Sequence, residues 1–336
     1  MKRLQLEDLS KQLGYSKTLI SMVLNGKGNQ YGISKKTQAA VLDAVTQLNY
    51  TPNKFAKALR TGKSYFIGLI VTDIANPFYS TIAKSIENVL FESGYNLMVC
   101  STEENEEKEK TLVEMMLNQQ GVDGLIVAST FKNSSFYEQP RFSKTPIVFI
   151  DRVLPLFNTN YVVIDNYGGS MEIVNHLIHS GCKKIACFCI TPSYLSTVED
   201  RLNGYRDAVR KNKLPEEQEY IKSINFDHIN DDVEQSLREL VQSKTQPDAI
   251  FVLNNHIAVA LLKALKKIEF KELGTKIKIA CFDDIELFNI IDQPVISVSQ
   301  PVQEIGRNSS IILLDIIAGK QINKSNIVLS TKLIDR

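Results

Sequence analysis

From residue 65 onward the chain repeats one pattern. Short apolar runs alternate with longer segments in which apolar residues recur every three or four positions. "FIGLIV" (66–71), "NLMVC" (96–100), "GLIVAS" (124–129) and "IVFID" (147–151) show no polar alternation, as strands buried on both faces do. Between them, helical spacing is expected near 78–92 and 106–119. A second series follows: "VVID" (162–165), "KIACFCI" (184–190), "YIKSINF" (220–226), "AIFVLN" (249–254) and "KIACFD" (278–283). Helices are expected near 167–180, 201–212, 231–243 and 255–268. Strands alternating with helices predict an α/β body, residues 65–336, built of two doubly wound parallel sheets with right-handed crossovers.

Residues 1–64 follow a different rhythm. Leu6, Leu9 and Leu13 have helical spacing until Gly14 breaks it. Ser16 is placed to cap a second helix by accepting a backbone N–H, and Leu19, Ile20, Val23 and Leu24 form its buried stripe. Ser34 is placed to cap a third, with Val41, Leu42, Val45 and Leu48 facing inward; Pro52 ends it. Two helices joined by a short turn containing glycine make a helix-turn-helix, so residues 1–51 are expected to be an all-α DNA-binding head. The second helix of that motif enters the major groove with its N-terminal residues toward the bases. That direction selects Ser16, Lys17 and Thr18, with Ser21, Met22 and Asn25 on the same flank and Lys27 in the following loop.

Residues 52–64, "PNKFAKALRTGKS", are basic and shorter than the ~12–15 residues an isolated helix needs in water. One reading is a plain linker. The other is a hinge that folds where its charge meets phosphate, with Asn53 and Lys57 at the DNA and Leu59 facing outward as an apolar wedge in the minor groove.

Charge sharpens the division. Residues 1–64 hold 11 lysines and arginines against three acids, a net +8; the rest holds 28 against 35, a net −7, within an overall +1. A cationic head on a mildly acidic body points to a polyanionic partner for the head. No apolar run approaches the roughly 18 residues of a membrane span, and "MKRLQLEDLS" has acids where an export signal needs an apolar block, so a cytoplasmic location is expected. Cys100, Cys182, Cys187, Cys189 and Cys281 are odd in number and form no C-x-x-C pair; buried free thiols are expected. His176 and His179 share a helix face but have no third ligand, and neither a Walker loop nor a nucleophile elbow occurs. Catalysis, a metal and a cofactor are therefore not expected.

In open α/β sheets ligands bind beyond the carboxyl ends of the strands. There stand Asp73, Asp151, Asn225, Asn254 and Asp283. Carboxylates and amides suit hydroxyl-rich ligands, which need paired donors and acceptors. Phe78 and Tyr79 at a helix start are candidates to stack on a sugar face, and Phe226 completes the aromatic candidates.

Taken in order, the fragments "LEDLSKQLGYSKTLISMVLNG", "ISKKTQAAVLDAVTQLNYTPNKFAKALRTGKS", "IGLIVTDIANPFYSTIAKSIE", "GVDGLIV", "IVFIDR", "VVIDNYGGS", "RLNGYRDA", "CFDDIELF" and "SVSQPVQEIGR" resemble the lac repressor/gal repressor family of transcription factors over nearly the whole chain. The resemblance implies a body like that of periplasmic sugar-binding proteins. The chain would cross between its lobes near 160, 290 and 320, one lobe holding about 65–160 and 292–320, the other about 161–291 and 321–336. It implies effector contacts at Phe78, Tyr79, Asp151, Arg201, Asn254 and Asp283, with Gln300 near the cleft, and makes Leu59 the family's minor-groove leucine. It also implies a homodimeric repressor, operator DNA as partner, and a small-molecule effector, expected to be a sugar or sugar derivative. The stop at "STKLIDR" favours a dimer over a tetramer. Four departures stand out: Gln5 where the family has threonine, Met22 where it has arginine, a longer loop "GKGNQYG" that adds Lys27, and Asn254–Asn255 where it has Asn–Asp. The competing reading is a carbohydrate receptor of periplasmic type with no DNA role. It predicts an export signal and no cationic head.

Overall fold

A computed structural model describes residues 4–48, 50, 62–215, 218–243, 246–267, 277–320 and 325–336. It divides into two compact units, 1–64 and 65–336. Of the expected hinge, Asn53, Lys57 and Leu59 lie outside the described residues.

Among the described residues the first unit holds three helices, α1 (Leu6–Leu13), α2 (Lys17–Leu24) and α3 (Lys35–Gln47). Leu9, Ile20, Val23, Val41 and Tyr50 are buried between them. Each helix start has a local cause. Ser16 Oγ accepts from Leu19 N (3.2 Å) and Ser34 Oγ from Thr37 N (3.1 Å), satisfying donors a helix leaves free. Gln5 stands before α1, and there the Asp8 carboxylate accepts from the Gln5 N–H at 2.8 Å. Gly14 takes φ +69°, which only glycine adopts at no steric cost, and this turns the chain from α1 into α2. Leu42 departs from expectation: it is 49% exposed. The buried face of α3 runs through Val41, Val45 and Leu48 at i, i+4 and i+7, and position 42 lies about 100° round from Val41.

The second unit contains two six-stranded sheets. The first has the order β11-β5-β4-β3-β1-β2, all parallel. Its strands are β1 (Phe66–Val71), β2 (Asn96–Ser101), β3 (Gly124–Val127), β4 (Ile147–Ile150), β5 (Asn160–Ile164) and β11 (Asn326–Leu329). The second has the order β12-β10-β9-β8-β6-β7, with β6 (Ile185–Thr191), β7 (Ile221–Asn225), β8 (Ala249–Val252), β9 (Lys278–Phe282), β10 (Val295–Ser299) and β12 (Lys332–Ile334). Here β12 runs antiparallel to β10, so this sheet is not wholly parallel. Every residue of β3, β4 and β8 is buried, which accounts for their unbroken apolar runs. The first lobe is covered by α4 (Pro77–Glu92), α5 (Glu106–Glu114) and α10 (Val302–Ile317). The second is covered by α6 (Asn166–His179), α7 (Ser196–Lys211), α8 (Ile229–Gln242) and α9 (Asn255–Leu265).

The lobe boundaries shift from those expected. β5 pairs with β4 in the first sheet, Val148 opposite Asn160, so the chain leaves that lobe only after residue 164. β10 belongs to the second sheet, Val295 opposite Ile279, and β11 returns to the first, Asn326 opposite Tyr161. The three crossings follow β5, β10 and β11, each five to ten residues later than expected. Backbone pairing decides this, because each strand must fill its ladder before the chain can turn away. The last crossing is tied down by Arg336, which donates to Asp284 Oδ1 and Ser297 Oγ, both at 2.8 Å.

Helices α6 and α7 pack closely because of Gly204. A Cβ there would lie 2.5 Å from the Tyr167 carbonyl oxygen and 2.8 Å from Ser170 Cβ. Gly204→Ala should destabilise the second unit by about 1–3 kcal/mol, despite alanine's better helix propensity. Calorimetry of the purified variant reads this as a melting temperature lower by a few degrees; a higher one would show that α7 does not need this close approach.

Candidate functional site

The carboxyl ends of both sheets open onto one cleft with about 620 Å3 of empty space, part of it open to solvent. The first lobe contributes Asp73, Phe78, Tyr79 and Asp151; the second contributes Arg201, Phe226, Asn254 and Asp283; Gln300 comes from the crossing after β10. Nine of the ten residues selected from the sequence therefore line the same space. Asn225 does not: it is exposed, and its side chain accepts from Asp227 N at 2.9 Å as a local turn cap.

Each polar group is held by its neighbours. Tyr79 Oη donates to Asp151 Oδ2 at 2.7 Å. The Phe78 ring meets the Tyr79 ring edge-on at 4.9 Å. Asp73 Oδ1 accepts from Ala75 N at 2.8 Å and shapes the loop before α4. Arg201 projects from α7 through the second lobe. Its Nε donates to Asn166 Oδ1 and one terminal nitrogen to the Leu253 carbonyl, both at 2.7 Å, while the guanidinium lies 3.9 Å over the Phe282 ring. Asp283 accepts from Asn255 N at 2.9 Å and from Gln300 Nε2 at 2.5 Å. Asn254 caps α9 by accepting from Ile257 N at 2.9 Å. Phe226 packs beside His256, ring centres 6.2 Å apart.

Backbone strain falls on the two central carboxylates. Asp151 has φ +65° and Asp283 φ +135°, in the region that non-glycine residues avoid. Such residues persist where the surroundings over-determine them, and they gather at functional sites. Both carboxyls are buried. Burial pushes Asp283 up to about 6, a rise that the nearby Arg201 guanidinium opposes. Burial, with Asp151 beside it, pushes the Tyr79 phenol well up, and burial lowers His256.

Several lining residues escaped the sequence reading: Asn76, Glu104, Arg152, Thr197 and His256. Arg152 directly follows Asp151 in "IVFIDR", so the motif was in view but not its second member. Glu104 sits in "STEENEEKEK", which reads as a solvated helix start. Asn76 bridges the lobes, accepting from Asn255 Nδ2 at 2.8 Å. Ser196 Oγ adds a second bridge by accepting from Val153 N at 3.0 Å. Among the described residues no cluster of three or more His, Cys, Asp or Glu is placed to hold a metal, and no helix is long and apolar enough to cross a membrane.

In the three-helix unit, Ser16, Lys17, Thr18, Asn25 and Lys27 are exposed, while Ser21 and Met22 are half-buried. Ser16 spends its oxygen on the cap. Lys17 pairs with Glu7 at 3.1 Å, an exposed contact that a phosphate would readily replace. Asn25 folds back onto the Ser21 carbonyl at 2.6 Å.

Three comparisons bear on this arrangement. Residues 64–335 match the family described as periplasmic binding proteins and sugar binding domain of the LacI family. The ribose operon repressor of Halalkalibacterium halodurans is 31% identical, covering 98% of this chain and 96% of that one. A periplasmic binding protein/LacI transcriptional regulator from Alkaliphilus metalliredigens, solved in complex with D-xylulofuranose, is 28% identical with a TM-score of 0.69, covering 81% of this chain and 98% of that one. The lac repressor dimer bound to operator and an anti-inducer superposes with a TM-score of 0.86 over 100% of this chain and 98% of that one; at 24% identity it attests the fold.

Raising the pH through the window between about 4 and 6 should weaken the second unit through Asp283. Its folded pKa lies above the usual 3.8, so the unfolded chain ionises first and stability falls as pH rises. Asp283→Asn should therefore gain on the native chain by up to roughly 3 kcal/mol between pH 4 and pH 7. Melting temperatures of both proteins at the two pH values measure this. A difference that stays constant with pH would remove the buried charge from the account.

Proposed function

The chain belongs to the LacI family, and from that premise we propose that it is a sequence-specific transcriptional regulator, acting as a repressor, whose DNA binding is set by a carbohydrate held between the two lobes. The observation that carries this reading is the convergence of strand-end carboxylates, amides and aromatics from both sheets on one cleft, in a chain that also carries a separate cationic helix-turn-helix unit. The cleft suits a polyhydroxyl ligand: carboxylates and amides supply paired acceptors and donors, and Phe78 and Phe226 supply apolar faces. The names of the ribose operon repressor and of the D-xylulofuranose complex support a sugar as effector.

The head supplies affinity through Lys17 and Lys27 at phosphates and specificity through Thr18, Ser21, Met22 and Asn25 in the major groove. Asn53, Lys57 and Leu59 act in the minor groove. Two copies pair so that two heads meet the halves of a near-palindromic operator in the cytoplasm. Apolar side chains left exposed on α4 and on the edge strand β2, Phe91 and Val99, support such pairing. The sugar must bind one lobe arrangement better than another, since only differential affinity shifts an equilibrium.

Selection from random duplex oligonucleotides should return one two-fold symmetric sequence, and affinity for it should fall with salt at a log–log slope of about −0.9 per phosphate neutralised. No enriched sequence, with or without sugars, would end the operator reading. In a thermal-shift screen a bound sugar should raise the melting temperature of the full chain, and Asp151→Asn should reduce that rise while leaving operator affinity without sugar within about twofold. An undiminished shift would take Asp151 out of the binding site.

A further inference from the structure

Arg152 reaches the cleft with its charge already claimed. Its two terminal nitrogens donate to both oxygens of Glu104, at 2.7 and 2.6 Å, a bidentate pair with side chains 10% and 16% exposed. One of them also meets the Ser129 carbonyl at 3.4 Å. Nε alone lacks a hydrogen-bond acceptor, and lies 3.6 Å from Asp151 Oδ2. A guanidinium fork is the group proteins use to grip carboxylate and phosphate, and this one is filled from within the chain.

The backbone is bent to achieve this. Glu103 and Glu104 both take left-handed conformations, φ +55° and +56°, two non-glycine residues in succession. Their neighbours point elsewhere. Glu103 pairs with Lys108 at 2.9 Å and Glu107 with Lys110. Glu106 accepts from Lys132 N at 3.2 Å, and Glu109 accepts from Ser129, Thr130 and Tyr137. Of the acids in 103–109, only Glu104 lines the cleft. Four carboxylates there, Asp73, Glu104, Asp151 and Asp283, face the two guanidiniums of Arg152 and Arg201. Burial lowers His256, so it adds no charge at neutral pH. Arg201 is itself committed to Asn166, Leu253 and the Phe282 ring.

We propose that Glu104 determines ligand charge: by occupying the Arg152 fork it confines the cleft to uncharged carbohydrates and rejects their phosphorylated and carboxylated forms. The inference rests on the carbohydrate reading above. Arg152 Nε is itself buried beside Asp151, so the guanidinium keeps no open donor edge for an anion. An anionic sugar meets a net negative cleft with no vacant fork.

The test is isothermal titration of the full chain with D-ribose, D-xylulose and D-glucose, each beside its phosphate ester, and with gluconate. The native protein should bind an uncharged member and reject its ester. Glu104→Gln should raise affinity for the anionic member about tenfold or more, with a smaller change for the uncharged one, and Glu104→Gln combined with Arg152→Gln should lose that gain. Glu104→Gly repeats the experiment with a residue suited to φ +56°, so that a poorly folded first variant does not stand in the way. An ester bound as tightly as its parent sugar by the native chain, or an unchanged preference in both Glu104 variants, overturns the proposal. Binding of no sugar in either form overturns the carbohydrate reading itself, and this inference with it.

Discussion

A carboxylate at the end of a buried parallel strand has little water to solvate it. It persists only where donors are built around it. This chain sets two such groups, Asp151 after β4 and Asp283 after β9, on opposite walls of one cleft. Each depends on partners from other elements: Tyr79 for the first, Asn255 and Gln300 for the second. The loops after the strands are held in strained backbone, and the helix starts beside them are capped by Asn76 and Asn254. Satisfying these acids therefore fixes the local geometry of both lobes and sets which hydrogen-bonding edge is left toward the cleft.

Much of this was legible in the sequence because the physics is local and periodic. Unbroken apolar runs identify strands covered on both faces, and ligands in such sheets gather at the carboxyl ends. Hence nine residues picked from strand ends and motifs share one cleft. What escaped detection depends on long-range chemistry. The Glu104–Arg152 pair spans 48 residues, and nothing in an acid-rich helix start marks one glutamate as turned inward. Sheet membership escaped for the same reason. "VVID" reads equally well as the first strand of the second lobe, and only its pairing with β4 assigns it to the first. Leu42 failed on a finer point: hydrophobicity selected it, but the angular face of α3 excludes it.

The small unit shows how little apolar surface a reading head requires. Among the described residues, five buried side chains hold three helices, and serine caps with the left-handed glycines Gly14 and Gly26 set where those helices begin and end. Most of the side chains on the flank of α2 thus stay accessible. Lys17 rests on an exposed ion pair and Asn25 on a local backbone contact, and such exposed contacts exchange with solvent at little cost.

Three separate strands of chain pass from one lobe to the other, after β5, β10 and β11, the last clasped by Arg336. A single tether would let two bodies twist, slide and splay. Three connections remove most of that freedom, because the lobes can move only as all three segments permit at once. Any change in the angle between the lobes must therefore bend all three segments together.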